Sequence, residues 1–146
     1  MLQRNCKTAR WLIAVGVALA LLSPEAAHAQ RSSLGKIRAQ LAHIPEPDAT
    51  RYLGVHDAMY WQNPYLLVRR EGVELRVGAT RTTMPVAAVP RALTRIPSAG
   101  WPYGRVVAVQ ALSLTSPAYR GRILNTRGRL LVLLRAVGVK AEVWPD

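Results

Sequence analysis

His56-Asp57 is the one place in the chain where a histidine sits beside an aspartate. An imidazole next to a carboxylate can act as a general base or begin a metal site. A metal phosphohydrolase needs more ligands than this pair provides. Beyond residue 29 the sequence has only His43 and His56, with Asp48, Asp57 and Asp146. A loop histidine held by hydrogen bonds is the better explanation of His56. A small hydrolase built on His56 and Asp57 is therefore the third of three functional readings. No metal-ligand set or catalytic set is assigned, and no cofactor is expected.

Other catalytic patterns are missing. No Gly-x-Ser-x-Gly stretch presents a nucleophilic serine, and the glycines are scattered rather than gathered into a phosphate loop. Cys6 is the only cysteine, so the chain beyond it has neither a disulfide nor thiol chemistry. Glu71 and Glu74 flank a predicted hairpin turn. Carboxylates that cleave glycosides face each other about 5–10 Å apart across a cleft, and Glu74 is better matched to Arg69.

Two residue groups point to binding. Arg120, Arg122, Arg127 and Arg129 fall on one predicted helix, and arginine suits bidentate contact with phosphate or carboxylate. Trp61, Trp101, Tyr103 and Trp144 belong to the core or, if exposed, make a sugar- or protein-binding surface. The whole chain carries a formal net charge of +12, which favours anionic partners. An arginine-rich, lysine-poor chain is also what a GC-rich genome encodes.

The start of the chain reads as a cleaved signal peptide, residues 1–29. Arg4, Lys7 and Arg10 are its basic region, and residues 11–22 its apolar stretch. Those 12 residues fall short of the roughly 17 needed to span a bilayer. Ser23-Pro24 breaks the stretch, and Ala27-His28-Ala29 is a small-x-small cleavage site, so the mature chain is expected to begin at Gln30. Cys6 precedes the apolar stretch and cannot carry a lipoprotein's lipid. Removing three basic residues and one acidic one leaves 17 against 7, a net charge of +10. The expected destination is the periplasm or the outside of a bacterial cell, with no stable membrane span after cleavage.

The elements that hold these residues follow from apolar spacing. Ser32 or Ser33 is expected to cap a short helix with Leu34, Ile37 and Leu41 on one stripe. A Pro-rich linker around Pro45 and Pro47 follows, so residues 30–50 read as an arm loosely tied to a domain of residues 51–146. Residues 65–70 and 73–78 form a predicted hairpin around a Glu71-Gly72 turn. That register pairs Val68 with Leu75, Leu66 with Val77 and Arg69 with Glu74. Residues 80–84 read as a polar connection, and a short helix follows within residues 86–96, with Pro90 in its first turn.

Residues 104–112 are a nearly unbroken apolar run, which reads as a strand buried on both faces. Ser116-Pro117 then starts a long helix to about Val137, with Ile123, Leu130 and Leu134 on its apolar face. Gly138 closes the helix and residues 139–144 form the last strand. The expected fold is α/β (α+β): a small mixed sheet with two helices, order ββαβαβ, after the N-terminal helical arm.

This order, with a hairpin first and a strand, long helix and short strand last, resembles the periplasmic domain of ExbD/TolR-type proteins. The likeness covers residues 65–144 and is carried by topology and by the apolar pattern of residues 130–143. It implies the fold and a tendency to self-associate or bind envelope proteins. That family is anchored by a transmembrane helix with a functional aspartate. The apolar stretch here is shorter and lacks aspartate, so no functional residue transfers. The leading expectation is an exported, non-catalytic interaction module for an envelope protein. The alternative is an arginine-rich binder of an anionic envelope polymer or nucleic acid.

Overall fold

The computed structural model describes residues 24–112 and 117–145. Five strands form one mixed sheet: β1 (Tyr65–Val68), β2 (Val73–Val77), β3 (Thr80–Met84), β4 (Val106–Ala111) and β5 (Lys140–Val143). Their spatial order is β3-β2-β1-β4-β5. The β1-β2 and β2-β3 pairs are antiparallel, whereas β1-β4 and β4-β5 are parallel. Three helices complete the α+β fold: α1 (Pro24–Leu41), α2 (Val89–Leu93) and α3 (Pro117–Ala136).

Side-chain alternation divides the sheet into two differently covered faces. Leu66, Val68, Val73, Leu75, Val107 and Val109 point toward the helices. Ile37 and Leu41 from α1, Leu93 from α2, and Ile123, Leu130 and Leu134 from α3 close that core. On the other face, Tyr65, Leu67, Val106 and Ala108 meet Tyr52, Trp61, Tyr103 and Trp144. Among the described residues no α-helix covers this second face; large rings on mostly irregular chain do. β1 and β4 are buried on both sides, which is why their sequences are apolar without alternation.

The first helix is longer and better tied down than the sequence suggested. It begins at Pro24, and Ser32 and Ser33 lie exposed in its interior instead of capping it. The alanine-rich residues upstream are good helix formers and carry the helix back past both serines. Ile37, Leu41 and Ile44 are buried, so the arm is part of the main core. The linker behind it is pinned as well. The Arg105 N–H donates to Pro45 O at 2.8 Å and the Asp48 N–H to Tyr103 O at 3.0 Å. The Arg105 guanidinium also pairs with Glu46. Gly104 makes this approach possible: its φ is +81°, and an added Cβ would lie 2.3 Å from Glu46 O.

The hairpin forms where expected, but its register is displaced by two residues. Val68 pairs with Val73 and Leu66 with Leu75, while Glu74 stands opposite Leu67. The turn centres on Arg70-Glu71, closed by the Arg69 N–H donating to Gly72 O at 2.8 Å. A shift of two leaves every side chain on its own face, so apolar alternation cannot distinguish the registers. Gly72 serves a close approach: a Cβ there would come 2.5 Å from the Met84 carbonyl oxygen. Arg69 still reaches Glu74 diagonally, at 2.7 Å.

Residues 80–84 are a strand, β3, rather than a connection. Its side chains are largely exposed, so no apolar periodicity marks it. Three threonines suit it to an edge. α3 and Gly138 match expectation. The Val139 N–H reaches Leu134 O at 2.9 Å and the Gly138 N–H reaches Arg135 O at 3.1 Å, with Gly138 at φ +73°. This Schellman closure turns the chain from α3 directly into β5. Ser116, the expected cap, and residues 1–23 lie outside the described residues.

Candidate interaction surface

The sequence-predicted residues do not come together into one site. His56 and Asp57 are both exposed on the loop over the aromatic face. The His56 ring meets Trp144 edge-on, with centroids 6.5 Å apart. The Asp57 carboxylate accepts the Met59 N–H at 2.8 Å, a turn contact. Among the described residues, no group of three or more His, Cys, Asp or Glu could hold a metal ion.

Trp61 and Trp101 are buried on opposite faces of the sheet and cannot share a binding surface. Trp61 packs edge-on against Tyr52, Tyr103 and Trp144, and its indole N–H donates to Pro64 O at 3.1 Å. A sheet that lacks helices on one face needs such rings to exclude water, and this overrides the surface-binding expectation.

The four arginines of α3 flank its buried stripe on two sides. Arg120, Arg122 and Arg129 are exposed, and Arg127 is half-buried and engaged. A more concentrated basic feature lies elsewhere. Lys36 of α1, Arg91 of α2 and Arg95 in the turn after it line a shallow cleft of about 340 Å³, together with Ser33, Gln40 and Thr94. No carboxylate lines it.

Two polar clusters hold the sheet together. Asn63 is buried just before β1 and makes three hydrogen bonds. Its Nδ2 donates to Gly104 O and Val106 O, both at 2.7 Å, and its Oδ1 accepts the Tyr103 N–H at 2.8 Å. It thereby fastens the starts of two parallel strands distant in sequence. Glu74 is also buried, between Arg69 and Arg76. Burial pushes its carboxyl upward. The Arg76 hydrogen bond and the charges of Arg76, Arg69 and Arg81 outweigh that effect and hold it below the ordinary value.

An apolar opening lies along β5, at one edge of the sheet. The Lys140 N–H donates to Arg105 O at 3.0 Å and the Trp144 N–H to Val109 O at 2.9 Å. Even-numbered residues thus turn their backbone groups toward β4. Alternation turns those of Ala141 and Val143 outward, toward no strand among the described residues. Leu131 and Val132 of α3 and Ala141 and Val143 of β5 line a groove of about 760 Å³ beside this edge, with Arg135 at its rim. Val132 is 68% exposed and Val143 47% exposed, high values for aliphatic side chains flanking one depression.

Sequence reading missed this groove. Residues 130–134 are apolar all round the helix, whereas a helix packed on one side needs only a stripe. The surplus side chains were the available signal.

Lys140 and Glu142 share the other face of β5. The Lys140 ammonium donates to the Tyr52 hydroxyl at 2.9 Å and stands 4.0 Å from Glu142. The Tyr52 hydrogen bond raises the lysine's pKa, against the opposing effect of burial.

Among the described residues, no helix is long and apolar enough to cross a membrane. Comparison with protein-family models, curated proteins and solved structures gave no match.

Proposed function

We propose that this protein is an exported, non-catalytic interaction module of the bacterial envelope, which docks a protein partner along β5. One observation carries the reading: an open strand edge runs beside a groove whose aliphatic lining is exposed. Such an edge offers main-chain hydrogen bonds, and the groove offers burial for alternate side chains. The resemblance to ExbD/TolR-type periplasmic domains supports the same reading, because those domains work by contacts within the envelope.

Cross-linking in intact cells, followed by mass spectrometry, tests the surface. Partner cross-links should map to residues 131–143 and disappear in Val132→Asp and Val143→Asp. Cross-links that map elsewhere and survive both changes would refute it. Export is tested by the intact mass of the exported protein, which should correspond to a chain beginning at Gln30. A chain retaining Met1 in a membrane fraction would overturn cleavage. Cleavage at that point would trim the first turns of α1 and leave Leu34, Ile37 and Leu41 in place. His56→Ala should leave the cross-linking pattern unchanged, since its exposed ring serves no site in this reading.

A second reading, binding of an anionic envelope polymer or nucleic acid, is favoured by the basic cleft between α1 and α2. Affinity for such a polymer should then fall steeply with added salt. Arg91→Ala with Arg95→Ala should weaken it more than Arg122→Ala with Arg129→Ala. Equal or absent effects would remove the cleft from consideration.

A further inference from the structure

We infer that the partner seated on β5 is a second copy of this chain, paired antiparallel about Ala141 into a continuous ten-stranded sheet. This rests on the reading of the β5 edge as a docking surface and names its occupant.

The register follows from hydrogen-bond geometry. Only residues whose backbone groups point outward can exchange bonds across the edge: Ala141 and Val143 offer both N–H and C=O, whereas Val139 offers only its C=O, because its N–H is donated to Leu134 O. A two-fold axis must therefore place odd-numbered residues opposite odd-numbered residues. Four alignments satisfy this within Lys140–Val143. An axis at Val143 sets Glu142 against Trp144 and Ala141 against Pro145, which has no N–H to exchange. An axis at Lys140 sets Lys140 against its own copy, and an axis at Glu142 sets Glu142 against its own copy. Each places like charges directly opposite, which is destabilising. An axis at Ala141 sets Lys140 opposite Glu142 of the second copy, twice by symmetry, and Val139 opposite Val143. Lys140 and Glu142 then occupy the non-hydrogen-bonded positions, where facing side chains approach most closely. The strand is self-complementary in this one alignment.

The faces also agree. A two-fold axis normal to the sheet keeps helices on the helix side, so the two α3 helices lie side by side above the joined edges. Each copy then covers the other's groove, burying Val132 and Val143, two of the aliphatics that the monomer leaves exposed. The opposite edge lacks these properties. β3 has no acidic residue, so no self-alignment of it pairs unlike charges.

Sedimentation velocity on the purified protein over a range of concentrations tests the inference. The wild-type chain should form a dimer. Glu142→Lys turns both symmetry-related pairs repulsive and should raise the dimer dissociation constant about tenfold or more. Lys140→Glu should act likewise, although it also removes the Tyr52 contact. Combining Lys140→Glu with Glu142→Lys swaps the charges and should restore dimerisation, an outcome that a folding defect cannot mimic. Ala141→Pro removes an outward N–H that no strand among the described residues uses, and should give a monomer with circular dichroism close to wild type.

A monomer at all concentrations overturns the inference, as does a dimer indifferent to Glu142→Lys and Ala141→Pro. If the protein is monomeric yet cross-links a different envelope protein through Val132 and Val143, self-pairing falls and the docking surface stands. If those cross-links also vanish, both fall.

Discussion

Asn63 shows how much a single polar side chain carries in this fold. Its amide donates to two carbonyls and accepts one N–H where β1 and β4 begin. Asn63→Ala removes these bonds, leaving Gly104 O with only the Val106 N–H, and should destabilise the protein by about 3 kcal/mol, measured by urea unfolding. Glu74 gives a pH dependence. Its folded pKa lies below the ordinary value of 4.5, so the unfolded chain takes up the proton first as pH falls. The stability it contributes is complete above about pH 4.5 and is lost below that, as pH drops through the folded pKa. Glu74→Gln should flatten the fall in thermal midpoint over that acid range; an unchanged slope would assign the acid sensitivity to other groups. Neither role was legible in the sequence. Asn63 reads as a turn residue before proline, and its partners lie some 40 positions away. The Arg69–Glu74 attraction was legible, because charge type survives a displaced register.

At the scale of elements, α3 separates core from surplus apolar residues. Leu130 is fully buried and Val132 largely exposed, although both lie in one apolar run. Leu130→Ala should cost about 2–5 kcal/mol, whereas Val132→Ala should change stability by less than about 0.5 kcal/mol in the monomer. Comparable losses at both positions in chemical denaturation would mean that the helix buries a different face. α3 was legible from end to end because proline, periodicity and Gly138 are local signals. β3 was not, since an exposed edge strand lacks the apolar alternation by which strands are recognised. The hairpin register was legible only modulo two, which is the period of the strand itself.

For the whole molecule, the decisive junction is where residues 44–48 meet residues 103–105. It makes α1 part of the domain rather than an arm. Gly104→Ala forces a Cβ against the Glu46 carbonyl and a side chain into positive φ, and should cost at least about 1–3 kcal/mol. Hydrogen exchange should then quicken at Asp48 and Arg105, whose amides bridge the junction, before it quickens in β1. Uniform quickening would show that α1 and the sheet open as one unit. By itself, the sequence determined the strand–helix–strand ending, the hairpin, the helical start and the α+β class. Each depends on neighbours a few positions apart: apolar period, proline, glycine and charge. The tertiary structure alone decided that Trp61, Trp101 and Trp144 are core and that, among the described residues, His56 and Asp57 stand apart from any ligand cluster and β5 is left at an open edge. Those outcomes depend on which strands lie adjacent and on which face each element covers. Strand order joins residues tens of positions apart, so no local period in the chain encodes it.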